Sequence, residues 1–326
     1  MNGVIIVDKP AGWTSHDVVN RMRRILVQRS IGHLGTLDPL ATGVLPLVTG
    51  NLTRLAQFYT TSKKSYEGVI RFGFATDTYD ADGAALGEAV SISPTLDQLQ
   101  TLAGRFRGVI QQTPPPFSAK KIQGVPAYKL ARKQQQVILQ PVEVEIEEFE
   151  ILSVESDRAN FRARVSSGTY MRSIAHEMGQ LLSCGAHLES LRRTAVAEFA
   201  IAQAHSLLEI EELKIHHAES SKACHSDRSF AFPKGKGNGA EEPAVAPHEA
   251  AAAIFVHPRQ LLPQFPSVTA DEVTVARIYT GRSVNLPELS RSRHVKVFRG
   301  QSDLIAIATR IAGSLFHPKI VFPEGQ

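Results

Sequence analysis

The sequence predicts a mixed α+β protein, a large folded part followed by a small β-rich one, and three observations carry that prediction. Helical and strand-like stretches mix without a βαβα rhythm, which argues against a doubly wound sheet. Residues 216–252 lose apolar periodicity altogether. Beyond them only short strand-like runs return, enough for a small β-barrel module and too few for an enzyme core. The expected division is therefore a large domain over 1–215, a flexible linker over 216–252 and a module over 253–326.

The elements follow in order. Residues 4–8 (VIIVD) read as a buried strand that Lys9-Pro10-Ala11-Gly12 stops. Thr14 or Ser15 can cap a helix over 15–28, with Val18, Val19, Met22, Ile25 and Leu26 on one face. A glycine-rich segment runs from Gly32 to Gly43, and a second helix is expected near 51–59. Residues 66–74 read as a strand, 77–83 as a polar loop, 96–106 as a helix and 111–124 as a proline-rich loop with Lys120 and Lys121. Val142, Val144 and Ile146 alternate with glutamates, so 142–155 and 160–166 read as a hairpin. Residues 170–182 form an amphipathic helix, and 295–298, 304–308 and 319–322 are the tail's strands.

Composition bounds the function without naming it. In 326 residues, a hydrophobic share of 43% supplies a sizeable core. No apolar run reaches the roughly 18 residues of a membrane span, and the N-terminal apolar stretch lacks the basic flank of a signal peptide. A cytoplasmic location is expected, with Cys184 and Cys224 as free thiols. The net charge of +4 permits a polyanionic partner without requiring one. His216, His217, Cys224 and His225 lack a second ligand cluster, so no metal and no cofactor are expected.

Chemistry concentrates in Gly32–Gly43. Its glycines allow tight turns and close approach to a ligand, and Pro39 keeps Asp38 out of the helical region. An aspartate so placed is either a turn-forming residue or a nucleophile or base, and local chemistry leaves both open.

The stretch GHLGTLDPLATGVLPLVTG resembles the catalytic motif of the bacterial tRNA pseudouridine-55 synthases, the TruB family. Further segments match in order: VDKPAGWTSHDVV, KSYEGVIRFGFATDTYDADG, PPPFSAKKIQG, SSGTYMRSIAHEMG and GAHLESLRRTAVAEF. The tail from TADEVTVARIYTGRSV to HPKIVF is similar to a PUA RNA-binding module. The resemblance implies a mainly antiparallel mixed sheet for the catalytic domain and uridine-to-pseudouridine isomerisation in the tRNA T-arm. It implies Asp38 as the catalytic aspartate, Arg172 as its partner and Tyr66 as the tyrosine stacked on the target base. Tyr170 and Leu191 would line the uracil pocket, His33 would lie near the displaced nucleotide, and Lys9 would be structural or RNA-contacting. Lys120, Lys121 and the pair Arg192-Arg193 are phosphate-contact candidates or else a solvated face. Leu34 and Phe117 depart from the threonine and tyrosine common in the family, preserving bulk, and the 216–252 segment is longer than usual. A lone monomer with no obligate protein partner is expected. The competing readings are a guide-RNA-dependent synthase, a non-catalytic tRNA binder and a nucleoside hydrolase.

Overall fold

The computed structural model describes residues 2–118, 120–122, 124–133, 135, 137–213 and 254–323. β1 (Gly3–Lys9) is buried along almost its whole length. Thr14 then starts α1 (Ser15–Leu26) with a reciprocal cap: its hydroxyl accepts from the Asp17 N–H at 3.1 Å, and Asp17 Oδ2 accepts from the Thr14 N–H at 2.9 Å. Val18, Val19, Met22 and Ile25 form the buried face, and Val27 ends the helix in the left-handed conformation.

β2 (Ile31–His33) and β3 (Thr42–Thr49) flank the turn that carries Asp38. The helix expected at 51–59 is instead a 3-10 helix, Gly50–Phe58. Thr49 provides no side-chain cap there and Gly50 enters with φ of 59°; the Gly50 N–H donates instead to the Ser30 carbonyl and the Asn51 N–H to Asn2 Oδ1, both at 2.8 Å. β4 (Lys64–Phe72) follows, and the small hairpin of β5 (Ala75–Thr76) and β6 (Ala85–Leu86) frames the polar loop at 77–83. α2 (Leu96–Gly104) has its own reciprocal cap from Thr95 and Gln98. The proline-rich stretch is more ordered than the sequence suggests, because β7 (Gly108–Gln112), β8 (Lys121–Ile122), β9 (Val125–Pro126) and α3 (Ala127–Ala131) structure its ends.

β10 (Val142–Glu155) and β11 (Arg158–Val165) form the hairpin that the alternation predicts, with Val144 and Ile146 buried. α4 (Met171–Leu181), β12 (Ala186–Val196) and β13 (Phe199–Ala200) complete the larger sheet. Its order is β1-β3-β12-β4-β11-β10-β7, with β2 on β3 and β13 on β12. Every pairing is antiparallel except β3 with β12. β12 therefore runs beside both β3 and β4, and through Arg193 it brings Gly43, at the end of the Asp38 segment, close to Tyr66.

The tail forms a five-stranded curled half-barrel: β14 (Ser267–Thr269), β15 (Val284–Asn285), β16 (His294–Arg299), β17 (Asp303–Ala312) and β18 (Leu315–Val321), in the order β14-β16-β17-β18-β15. It also holds a helix, α5 (Glu272–Tyr279), capped by Asp271, where only strands were expected. The two sheets share a hydrophobic core. Val4, Ile6, Val44, Val48, Val196 and Phe199 pack with Leu261, Leu262, Phe298, Ile307, Ile320 and Phe322. Tyr59 donates to Glu198 Oε1 at 2.6 Å, and the same oxygen accepts from the Leu262 N–H at 2.8 Å. The buried Lys296 ammonium donates to the carbonyls of Arg259 and Leu261, both at 2.7 Å.

The linker at 216–252, with His216, His217, Cys224 and His225, lies outside the described residues. Cys184 is buried and free. Among the described residues, no helix is long and apolar enough to cross a membrane.

Candidate active site

The Asp38 turn is held on both sides. Before it, the Leu37 N–H donates to Ser15 Oγ at 2.8 Å, and that hydroxyl donates back to the Leu37 carbonyl at 3.2 Å. After it, the Pro39 carbonyl accepts from the Gly12 N–H at 2.9 Å and from Lys9 Nζ at 3.2 Å. Lys9 also donates to the carbonyls of Trp13 at 2.6 Å and Pro10 at 2.8 Å. Its side chain is fully buried, and burial pulls its pKa down to about 8. Lys9 therefore ties the first strand to the turn, the structural one of the two roles the resemblance implies for it.

α4 delivers Arg172 to this turn. Gln112 fixes the helix start: its Oε1 accepts from the Tyr170 N–H at 2.8 Å and its Nε2 donates to the Tyr170 carbonyl at 3.1 Å. Arg172 is 5% exposed, and its Nε lies 2.9 Å from Asp38 Oδ2. The Nε–H is not directed along a hydrogen bond, so the contact is an ion pair with a donor still unspent. The other end of the guanidinium is used: Nη1 donates to the Thr78 carbonyl at 3.0 Å and lies 3.5 Å from Asp80 Oδ2, and Nη2 donates to the Phe117 carbonyl at 3.1 Å. Burial raises the Asp80 carboxyl against the Thr78 hydrogen bond and the Arg172 charge, which lower it. The polar loop at 77–83 thus stands behind the arginine and orients it towards Asp38, whose side chain remains 36% exposed.

Arg193 holds the Asp38 turn, a position that sequence reasoning missed. As half of Arg192-Arg193 it was a phosphate-contact candidate, yet its side chain is fully buried. Nε donates to the Val44 carbonyl at 2.8 Å, Nη1 to Thr36 at 3.1 Å and Nη2 to Gly35 at 3.0 Å. One guanidinium therefore spans the start and the far side of the Asp38 turn. The backbone fit is equally close: a Cβ on Gly43, whose φ is +99°, would lie 2.2 Å from the Arg193 carbonyl oxygen. The Arg193 charge also opposes the upward pKa shift that burial imposes on the Tyr66 phenol. Arg192 differs, binding both oxygens of Asp8 at 3.2 and 2.7 Å.

Asp38, Tyr66, Tyr170, Arg172 and Leu191 come together on one cavity of about 240 Å³, with Lys64, Ser118 and the 167–169 turn completing its wall. A larger groove of about 510 Å³ lies alongside and shares Leu191, but its one arginine, Arg192, is already tied to Asp8. The smaller cavity, with an ionised pair opening into it, is the candidate site. His33 sits on β2 opposite Leu47 and off the cavity wall. Its buried Nδ1 has no partner, and burial, followed by the Arg193 charge, lowers its pKa. Lys120 and Lys121 are exposed, away from the cavity lining. Among the described residues, no group of three or more His, Cys, Asp or Glu could hold a metal.

Comparisons with known proteins agree on a family. A model of the TruB family pseudouridylate synthase N-terminal domain matches residues 23–171, and one of the tRNA pseudouridylate synthase B C-terminal domain matches 172–229. The chain is 45% identical to a tRNA pseudouridine synthase B of Solibacter usitatus (strain Ellin6076), covering 98% of this chain and 100% of that one. It is 44% identical to the tRNA pseudouridine synthase B of Aquifex aeolicus (strain VF5), over 64% of this chain and 73% of the relative. Among solved structures, a chain of an H/ACA RNP bound to a substrate RNA containing 2′-deoxyuridine superposes with a TM-score of 0.68 at 22% identity. That match covers 98% of this chain and 85% of the other. An archaeal box H/ACA sRNP Nop10-Cbf5 complex gives 0.67 at 22%, covering 98% and 86%. These last two show a shared fold, and the sequence relatives and family models show the lineage: the chain belongs to the TruB family of pseudouridylate synthases.

Proposed function

We propose that this chain isomerises uridine 55 in the T-loop of tRNA to pseudouridine, with Asp38 as the catalytic carboxylate, Arg172 as its positioning cation and Tyr66 as the aromatic partner of the base. The observation that carries this reading is the Asp38–Arg172 ion pair, opening on a cavity whose wall includes Tyr66. The reaction breaks C1′–N1, joins C1′ to C5 and moves the proton from C5 to N1. It consumes no water, electrons or nucleotide energy, so one held carboxylate and a proton relay suffice. Asp38 attacks C1′, assists elimination from the sugar or adds to the ring, and the same cavity serves all three routes.

The target base must leave its stack, at a cost of about a few kcal/mol. Stacking on Tyr66 returns about 1–3 kcal/mol of it. The Tyr66 phenol, on the cavity wall, is suited to the late proton transfer. Tyr170 and Leu191 bound the base from the remaining sides, and His33, off the wall, is suited to the space a flipped nucleotide leaves behind. Exposed Lys120 and Lys121 are suited to phosphate contact on the approach. The chain works alone as a monomer in the cytoplasm, without an obligate protein partner.

The test is tritium release from a T-arm hairpin labelled with [5-³H]uridine, followed by mapping of the modified position. Release from a single T-loop uridine with unchanged mass is the expected result. Free uracil would indicate hydrolysis, and tight binding without release would indicate a non-catalytic binder; either contradicts the proposal.

A further inference from the structure

Lys63 immediately precedes β4, and Lys64 is the strand's first residue. Lys63 is fully matched, pairing with Glu147 and with Glu145 at 3.7 Å. Lys64 is not. Its half-buried side chain lies on the wall of the catalytic cavity with Asp38 and Tyr66. Its stem crosses Gly35, where a Cβ would meet Lys64 Cε at 3.3 Å, so the glycine leaves the lysine its path. The ammonium donates to the Ser62 carbonyl at 3.0 Å, and no acidic residue among those described pairs with it.

The other cations around the cavity already face carboxylates or carbonyls of the protein. Arg172 faces Asp38 and Asp80, Arg192 faces Asp8, and Arg193 donates to three carbonyls. An ammonium has three donors, and Lys64 uses one on protein. A desolvated cation with spare donors at the mouth of a nucleotide cavity matches an incoming anion. We infer that Lys64 is a substrate-binding residue that takes a phosphate flanking the flipped uridine and sets how deeply the nucleotide enters. The inference rests on the reaction proposed above. Burial, reinforced by Arg193, pulls the Lys64 ammonium down to about 8, so it is held for an anion that restores its charge.

The experiment uses the full chain, T-arm hairpins and the variants Lys64→Met and Lys64→Arg. In Lys64→Met, affinity for the hairpin falls about tenfold, as expected for a lost charge-assisted contact. The slope of log Kd against log salt falls by about 0.7, one single-strand phosphate. The loss lies in KM more than in kcat, and Lys64→Arg recovers most of it. A neutral methylphosphonate beside the target uridine weakens wild-type binding by a similar factor and adds almost nothing to Lys64→Met. An unchanged salt slope in Lys64→Met, or losses from the variant and the methylphosphonate that simply multiply, overturns the assignment while leaving the reaction intact. A wild-type chain that releases no tritium overturns the reaction and this assignment with it.

Discussion

The seam between the two sheets and the catalytic cavity both bury charge, and they treat it in opposite ways. At the seam the buried charges are met from within the protein: Glu198 accepts from Tyr59 and the Leu262 N–H, and Lys296 donates to two carbonyls. Around the cavity the polar groups are left incomplete. Arg172 Nε, His33 Nδ1, His176 Nδ1 and Ser118 Oγ are the buried side-chain atoms without a well-directed partner among the described residues, and Arg172 and Ser118 line the cavity itself. Unmet polar groups cost stability, so a fold retains them where a ligand meets them. His176 stacks on Tyr79 at 3.7 Å, one helical turn past Arg172, so it extends the same unsaturated surface.

Removing 254–323 breaks the comparison on the structural side and has the largest expected effect. Seven large apolar side chains leave the shared core: Leu261, Leu262, Phe298, Leu304, Ile307, Ile320 and Phe322. At about 1.5–3 kcal/mol each, their loss is on the order of 10 kcal/mol, comparable with the whole stability of a domain. The truncated chain should therefore lose its cooperative thermal transition. A truncated chain that melts like the full one would mean the seam is incidental. Full-length variants, not truncations, are the way to measure what the module adds to tRNA binding.

The next effect is at Arg172. Arg172→Met leaves Asp80, buried against it, without its cation, at about 3–5 kcal/mol for a broken buried pair. The sign follows from the raised Asp80 pKa. The unfolded carboxyl ionises before the folded one, so the group's contribution to stability is lost as pH rises from the unfolded value through the folded one. Without Arg172 that loss should deepen, giving a variant markedly more stable at acid pH than at neutral pH relative to wild type. Equal destabilisation at both pH values in urea titrations would contradict the placement of Asp80.

A smaller effect separates Arg193 from Arg172. If Arg193 acts on chemistry through Tyr66, then Arg193→Lys should lower kcat about tenfold in the wild-type background and less than twofold in Tyr66→Phe. Independent, multiplying losses would make Arg193 a clamp on the turn alone. Deleting 218–250 should have the smallest effect, leaving release from an isolated T-arm hairpin within about twofold. Loss of folding in that deletion would show that the segment is part of the core.

Much of the local structure was legible in the sequence because it is encoded locally. Thr14 with Asp17, the valine–glutamate alternation of β10 and the apolar face of α4 each declare themselves within a few residues. Asp38 stood out through its glycines and proline. What the sequence concealed depends on distant neighbours. β12 reads as a charged stretch, and only its place between β3 and β4 buries Arg193. Lys9 resembles a surface lysine until three carbonyls converge on it. Lys64 looks like its neighbour Lys63, and strand pairing alone separates them.

The most direct test of the account is single-turnover tritium release by Asp38→Asn beside wild type, with hairpin binding measured on both. The account predicts turnover down by at least about a thousandfold, with affinity within about tenfold, or 1.4 kcal/mol. Turnover comparable to wild type would contradict it and return Asp38 to the role of a turn residue.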